Sequence, residues 1–319
     1  MKVLLTGATG FVGRGLLERL AAEPGLRLAV AVRSPLGGEF PGVEVHPIDG
    51  LEGARDWRPT LRGVDVIVHA AARVHVMRET SADPLAAFRA INLQATLDLA
   101  RQAAAAGVRR FIFISSVKVN GEATLPGRPF RADDAPAPAD PYGVSKLEAE
   151  RALAALAAET GLEVVVIRPP LVYGPGVGAN FAALMRAVQR QVPLPFAWVR
   201  NKRSLVSRDN LVDLVWVCLA HERAANQVFL ASDDDDLSTA ELCRHLAVAL
   251  GVPSRQLPVP EFLLHGAAAL LGRREQAQRV LGSLQVSVDK NRELLGWRPP
   301  VGVAQALAVT ASWYREAGR

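Results

Sequence analysis

The amino-acid sequence predicts an α/β protein with a doubly wound parallel sheet and a smaller, mostly helical C-terminal lobe. Apolar runs alternate with helical patterns through the first half of the chain. Runs this apolar are typical of strands that are buried on both faces, as in a parallel sheet covered by helices. After Arg168 the pattern changes to a loop rich in Pro and Gly, and the later elements are shorter and mainly helical.

Six apolar runs are predicted strands because they are short and rich in branched residues. They are KVLL (2–5), LAVAV (28–32), VEVHPI (43–48), DVIVHA (65–70), RFIFIS (110–115) and VVVIR (164–168). Helical patterns cover 11–22, 85–106 and 141–160. Alternation of this kind predicts right-handed crossovers between parallel strands.

Composition excludes several classes of protein. Half of the 319 residues are hydrophobic and 22% are charged, so we expect a packed core rather than disorder. The net charge of +5 is spread along the chain, which argues against nucleic-acid binding. Cys218 and Cys243 lie in apolar helical patterns, so we predict buried thiols and no metal site. Without a signal peptide or a membrane-length apolar run, we expect a cytoplasmic protein with no membrane partner.

Three glycines, Gly7, Gly10 and Gly13, follow the first strand at every third position and open the first helix. Glycine costs stability in a helix, so its repetition indicates that something must approach the backbone closely. Such a turn lets a dinucleotide pyrophosphate rest on the free N–H groups of the helix, although it can also be merely tight. The pattern predicts a Rossmann-type site to which Phe11 and Val12 also contribute.

The end of the second strand bears on the choice of cofactor. An acidic residue there would bind the ribose 2′-hydroxyl of NAD, but the strand ends in Arg33. A guanidinium suits the 2′-phosphate of NADP, and it is equally compatible with an ordinary surface cation. The sequence therefore predicts NAD or NADP, with Arg33 favouring NADP.

The sequence predicts a dinucleotide-binding domain and a separate substrate-binding lobe. We expect residues 1–168 to form the dinucleotide-binding domain, with about 205–232 packing back on it. Residues 169–204 and 233–319 would form the substrate lobe. An acidic run at 233–236 precedes a capping box at 238–241, which predicts a solvated loop entering a helix rather than a cation site.

Three residues form a predicted catalytic set. Tyr142 and Lys146 lie four residues apart at the start of a helix and share one of its faces, and Ser116 lies at the carboxyl end of a strand. Hydride transfer at a carbinol carbon requires a proton transfer at its oxygen. Tyrosine has a pKa near 10, and a neighbouring ammonium together with an oxidised nicotinamide would lower it. Strand alternation places either Ser115 or Ser116 towards the site, and we assign Ser116. Lys146 would also hydrogen-bond the nicotinamide ribose.

Several segments resemble the extended short-chain dehydrogenase/reductases, and among them the UDP-glucose 4-epimerase-like epimerase/dehydratase enzymes. These segments are the glycine turn, DVIVHAAA, INLQATLDLA, FISSVKVNGE, PYGVSK and RPPLVYGPG, and the resemblance covers nearly the whole chain. It implies that Ser116, Tyr142 and Lys146 are the catalytic trio. It also implies cofactor contacts at Asp49, Gly50, Ala70, Ala71, Ala72, Asn92, Ser115 and Pro169.

The same resemblance implies a UDP-sugar substrate. Asn180 would touch the nucleotide-sugar, Arg203 would hold its diphosphate, and Arg279 would supply a second contact. A helix cap for Asn180 and surface cations for the two arginines are the alternatives. Lys118 lies near the expected sugar pocket, at a position that is usually small or hydroxylated in the family.

Three functions follow from these expectations. SSVKVNGE, RPPLVYGPGV and GSLQVSVDKNRELLGW are most similar to bacterial enzymes of O-antigen (lipopolysaccharide) biosynthesis that interconvert UDP-N-acetylquinovosamine and its 4-keto-6-deoxy precursor. We therefore expect an NAD(P)-dependent oxidoreductase that reduces a UDP-4-keto-6-deoxy-N-acetylhexosamine at C4, or runs the reverse. The alternatives are a UDP-hexose or UDP-N-acetylhexosamine 4-epimerase and a non-catalytic dinucleotide-binding module. The resemblance also implies a homodimer through helices 85–106 and 141–160.

Overall fold

The computed structural model describes residues 1–53, 55–74, 83–125 and 127–318. The strands found there are Lys2–Thr6 (β1), Arg27–Val32 (β2), Glu44–Pro47 (β3), Val66–His69 (β4), Arg110–Ile114 (β5), Glu163–Arg168 (β6), Leu171–Tyr173 (β7), Leu205–Ser207 (β8) and Gln227–Leu230 (β9). The α-helices are Phe11–Ala21 (α1), Pro84–Arg89 (α2), Thr96–Ala105 (α3), Pro141–Thr160 (α4), Ala179–Gln189 (α5), Arg208–Ala220 (α6), Thr239–Leu250 (α7), Glu261–Leu270 (α8), Arg274–Leu281 (α9), Asp289–Leu295 (α10) and Val303–Glu316 (α11).

In the described part of the chain, seven strands form one parallel sheet in the order β3-β2-β1-β4-β5-β6-β9. β1 pairs with β2 on one side and with β4 on the other. The strand order therefore reverses between β1 and β4, and ligands bind at the carboxyl ends of strands beside such a reversal. All six predicted strands are present, and the doubly wound parallel sheet is confirmed.

Both faces of the sheet are buried, which explains the continuous apolar strands. Val3 and Leu5 of β1 pack in a cluster with α1 and α6, whereas Leu4 packs in a second cluster with α3 and α4. Successive side chains of a strand point to opposite faces, so a strand covered by helices on both sides needs apolar residues at every position. This sandwich holds the carboxyl ends of β1, β4 and β5 rigidly at one edge.

A smaller body of structure packs beyond that edge. β7 and β8 pair in parallel, and an apolar cluster joins them to α5, α7 and α11. Buried Tyr173 donates to Asp233 at 2.7 Å, and Asp233 also accepts from Asn210 Nδ2 at 2.6 Å. The first residue of the acidic run is thus buried, so the prediction of a solvated loop is wrong at Asp233. The capping box of α7 between Ser238 and Glu241 is present as predicted.

The helical pattern over 85–106 is not one α-helix. α2 and α3 are joined by a π-helical segment, Ala90–Ala95, which contains the buried Asn92. π-Turns of this kind are rare and occur mostly at functional sites. Cys218 and Cys243 are buried free thiols, as predicted. In the residues that the structure describes, no helix is both long and apolar enough to cross a membrane.

Candidate active site

The glycine turn is built so that a side chain would not fit. Gly7 has a φ of +77°, and a Cβ there would lie 2.6 Å from the backbone nitrogen of Ala71. A Cβ on Gly13 would lie 1.9 Å from the carbonyl oxygen of Gly7. α1 begins at Phe11, with no side-chain cap on Gly10 and no acidic residue in its first turn. The first N–H groups of the helix are therefore suited to an anion.

Gly13→Ala is expected to damage this turn severely, because the new methyl group would overlap a backbone oxygen that cannot move away. We expect a loss of dinucleotide affinity of at least about tenfold and a stability loss of about 1–3 kcal/mol, measured by fluorescence titration and urea unfolding. Gly266→Ala is the matched control for added bulk at a helical glycine, since nothing lies within 4 Å of a Cβ there. The prediction fails if both variants bind the dinucleotide equally well.

His69 is a buried residue that the sequence analysis did not identify. Its Nδ1 lies 2.8 Å from the hydroxyl of Thr6, and its Nε2 lies 3.0 Å from the hydroxyl of Thr96. Burial, followed by the positive charge of Lys146, lowers the pKa of His69 to about 3. The ring is therefore neutral at physiological pH, and it ties β1 and β4 to α3 directly below the carboxyl edge.

Asn92 holds the loop that follows β4. Its Oδ1 accepts from the backbone nitrogen of Arg73 at 2.9 Å, and its Nδ2 donates to the Arg73 carbonyl and to Ser145 Oγ, both at 3.0 Å. The loop carries three partly exposed alanines beside the glycine turn, Ala70, Ala71 and Ala72. Asn92 was predicted on the cofactor side, and its polar atoms position that loop against α4.

Ser116 and Tyr142 meet at the carboxyl end of β5. Ser116 begins a short 3₁₀ turn and accepts from the backbone nitrogen of Lys118 at 3.2 Å. Tyr142 is the second residue of α4, a helix that Asp140 caps by accepting from the nitrogen of Gly143. The Ser116 hydroxyl lies near enough to the phenol to act on the pKa of Tyr142 in the lowering direction. The structure thus brings the predicted serine and tyrosine together, and both are partly exposed.

The surroundings of Tyr142 act on its pKa in both directions. Burial and the negative charge of Asp140 raise the pKa of Tyr142 to about 12, while Ser116 acts in the lowering direction. Lys146, one helical turn further along α4, is buried, and its Nζ donates to the carbonyl of Ile114 at 2.9 Å. Burial lowers the pKa of Lys146 to about 7. The predicted lowering of the tyrosine pKa requires an oxidised nicotinamide beside the phenol as well as Lys146, and it stays a prediction.

A buried ion pair supports the serine strand from below. Glu150 accepts from Arg168, with Nη2 to Oε2 at 2.6 Å and Nε to Oε1 at 3.0 Å. Arg168 Nη1 donates to Asn120 Oδ1 at 3.0 Å, and the hydroxyl of Ser115 donates to Glu150. The Ser115 side chain, predicted to contact the cofactor, is thus engaged in this network. Glu150 and Arg168 were missed, because nothing in their sequence separation marks them as partners.

Lys118 is held by two carboxylates. Its Nζ pairs with Asp140 and lies 3.1 Å from Oε1 of Glu122. Its side chain is 24% exposed, so it stands at the surface beside the cap of α4. Lys118 was predicted near the sugar, and it also partly neutralises the carboxylate that raises the pKa of Tyr142.

The remaining predicted residues are spread more widely. Arg203 donates to the carbonyl of Gly282 at 3.0 Å, and burial lowers its pKa. Asn180 is exposed within α5, whose cap is Gly178, so the helix-cap alternative is wrong. Arg279 on α9 is exposed, and so are Arg33 after β2 and Asp49 after β3. Gly50, Phe11 and Val12 are partly exposed. Pro169 is buried, and its carbonyl accepts from the backbone nitrogen of Val117.

Comparison with known proteins agrees with this arrangement. Residues 3–231 match the family model described as "NAD dependent epimerase/dehydratase family". The chain belongs to this family. It is 47% identical to a UDP-glucose 4-epimerase of Vibrio cholerae over 99% of this chain and 96% of that protein. It is 31% identical to a UDP-glucose 4-epimerase of Mycolicibacterium smegmatis over 99% of both chains. The solved structure of MoeE5 with UDP-glucose and NAD is 25% identical, with a TM-score of 0.80 and full coverage of both chains.

Membership in the NAD-dependent epimerase/dehydratase family confirms the predicted resemblance and a nicotinamide dinucleotide cofactor. The glycine turn fits such a cofactor, because the first N–H groups of α1 have no side-chain cap and can receive a pyrophosphate. The glycine turn follows β1, Ser116 follows β5 and Tyr142 lies at the start of α4, so all three lie at the carboxyl edge of the same sheet.

Proposed function

We propose that this protein is a UDP-hexose or UDP-N-acetylhexosamine 4-epimerase. The observation that carries the proposal is the meeting of the Tyr142 phenol and the Ser116 hydroxyl at the carboxyl edge of the sheet. The Vibrio cholerae relative, 47% identical over nearly the whole of both chains, supports the epimerase over the reductase that the sequence favoured. A module that only binds a dinucleotide would not need this pair of hydroxyls.

The cofactor would be held by the glycine turn and the alanine loop after β4. When bound, NAD supplies a hydride acceptor and donor for carbon C4 of the sugar. Gly7, Gly10 and Gly13 would receive its pyrophosphate, with the backbone of Ala70, Ala71 and Ala72 alongside. Arg33 and Asp49 lie exposed beyond the ends of β2 and β3, where the adenosine half of a dinucleotide would lie.

The proton at the C4 oxygen would be handled by Tyr142. When the C4 hydroxyl is oxidised, the phenolate of Tyr142 would accept its proton, and the resulting phenol would return that proton when the keto group is reduced from the other face. The ammonium of Lys146 and the oxidised dinucleotide would favour the phenolate in the first of these steps. Ser116 would hold the same oxygen and keep it in line with the phenol. Arg203, partly buried and cationic, would hold the diphosphate of the substrate through charge-assisted hydrogen bonds.

A second candidate is the C4 reductase of a UDP-4-keto-6-deoxy-N-acetylhexosamine. The segments SSVKVNGE, RPPLVYGPGV and GSLQVSVDKNRELLGW favour it, since they are most similar to enzymes that carry out this reaction.

We include a homodimer in the proposal, with its interface on the helices at 85–106 and 141–160.

Turnover with defined UDP-sugars separates the candidates. An epimerase should interconvert UDP-glucose and UDP-galactose, or their N-acetyl forms, with no net change in dinucleotide absorbance. A reductase should consume one reduced dinucleotide for each 4-keto sugar that it converts. Stoichiometric consumption together with no interconversion would overturn the epimerase. Tight dinucleotide binding with no turnover of any of these sugars would contradict both enzymes and favour the binding module.

A further inference from the structure

Helix α8 presents an apolar stripe to solvent. None of the side chains described for this helix is buried, and Phe262 and Leu270 are 72% and 90% exposed. Phe262, Gly266 and Leu270 recur every four residues, and Leu263 lies three residues before Gly266, so they share one side of the helix. Single exposed apolar residues are normal, but a contiguous stripe marks an interaction surface.

A neighbouring loop extends this stripe. The backbone nitrogen of Leu257 donates to the carbonyl of Leu194 at 2.8 Å, and that of Ala197 donates to the carbonyl of Leu257 at 3.2 Å. The nitrogen of Arg200 donates to Glu261 at the start of α8, which fixes the loop beside the helix. We call the resulting surface the apolar face, and its exposed members are Trp198, Leu257, Phe262, Leu263, Leu270 and Leu271.

Positive charge surrounds the apolar face. Between Glu163 and Asp209 the chain contains seven Arg and Lys residues and no acidic residue. Three of these arginines, Arg186, Arg190 and Arg200, are exposed on α5 and on the loop that carries Trp198. Arg255 precedes Leu257, and Arg273 and Arg274 follow Leu271, all exposed. Along the chain, arginines therefore precede and follow the apolar residues and outnumber the acidic residues of the stretch 255–275, which are Glu261 and Glu275.

We propose that the apolar face docks on a lipid bilayer whose surface carries anionic headgroups. An amphipathic helix with arginines at its border lies in the headgroup region, with its apolar side chains inserted and its cations on lipid phosphates. Tryptophan is enriched at this depth because its ring is apolar and its N–H is polar. With ten residues, α8 is about 15 Å long, which suits lying on the membrane rather than crossing it. A second copy of the chain would bring like charges together, which disfavours that occupant.

The test is co-sedimentation of the purified full chain with vesicles. We expect at least about tenfold stronger partitioning onto vesicles of phosphatidylglycerol and phosphatidylcholine than onto phosphatidylcholine alone. Binding should weaken as salt rises, because the Debye length falls from about 10 Å at 0.1 M to about 3 Å at 1 M. Phe262→Ser combined with Leu270→Ser should lower the partitioning about tenfold or more. The matched control is Val248→Ser combined with Val309→Ser, at exposed apolar positions on α7 and α11.

A second variant keeps the apolar side chains and removes charge. Arg190→Gln combined with Arg200→Gln should weaken binding to anionic vesicles and flatten its salt dependence, while circular dichroism confirms the fold. Equal binding to both kinds of vesicle, or unchanged binding of the Phe262/Leu270 variant, would overturn the proposal. It would also be overturned if light scattering showed that this variant converts a dimer into monomers, because a second copy would then cover the face. None of these measurements depends on the proposed activity.

Discussion

Tyr142→Phe is expected to lower kcat by about 10²- to 10⁴-fold, because the variant removes the proton that the phenol delivers to the substrate oxygen. The ring packs edge-on against Phe88 at 5.8 Å between centroids, and phenylalanine keeps that contact. Dinucleotide affinity and the thermal midpoint should therefore change little. Initial rates with a saturating UDP-sugar, together with a dinucleotide titration, provide the measurement.

Tyr314→Phe is the matched control for this experiment. Tyr314 is fully buried in α11, and its hydroxyl has no hydrogen-bond partner among the described residues. Its removal should leave kcat unchanged and leave stability equal or slightly higher. If the Tyr142 variant kept a rate within a few-fold of the wild type, the assignment of Tyr142 as the proton donor would be wrong.

Glu150→Met should produce the largest loss of stability. It leaves the guanidinium of Arg168 buried without its carboxylate, and breaking a buried pair in this way costs about 3–5 kcal/mol. Ser115 also loses its acceptor, so the strand end that carries Ser116 is loosened. We expect the variant to unfold at a lower urea concentration. At temperatures where it is folded, kcat should be lower and dinucleotide affinity should change little.

The double variant Glu150→Met with Arg168→Met separates charge from packing. Replacing both members of a buried pair by apolar residues is often neutral, so the double variant should recover much of the stability that the single variant loses. Asp56→Ala, which breaks an exposed pair with Arg58, is the surface control and should leave the midpoint almost unchanged. A double variant less stable than Glu150→Met would contradict the account of the pair.

The sheet was predictable because a buried parallel strand can be recognised from its own short stretch of sequence. Each of the six predicted runs is apolar at nearly every position, and Gly7 and Gly13 are required because a Cβ at either position would clash with nearby backbone. The break in the 85–106 helix was not predictable in this way. It depends on Asn92 reaching the backbone of Arg73, and no helical periodicity encodes that contact.

The positions of the candidate site residues in the fold were predictable from the sequence, but their burial and charge environment were not. Ser116, Tyr142 and Lys146 lie on adjacent elements, as their positions at a strand end and a helix start require. The pKa of Tyr142 depends on how deeply it is buried and on the charge of Asp140. The pairing of Glu150 with Arg168 joins two residues that look like ordinary helix and strand-end charges in the sequence. Burial is a property of the folded chain, so neither effect could be read from spacing.

The most direct measurement is a crystal structure of the protein with NAD and a UDP-sugar bound. We expect the phenol oxygen of Tyr142 to lie within about 3.2 Å of the C4 oxygen of the sugar, with the Ser116 hydroxyl on the same oxygen. A sugar whose C4 oxygen lies beyond the reach of Tyr142, even through one water molecule, would contradict it.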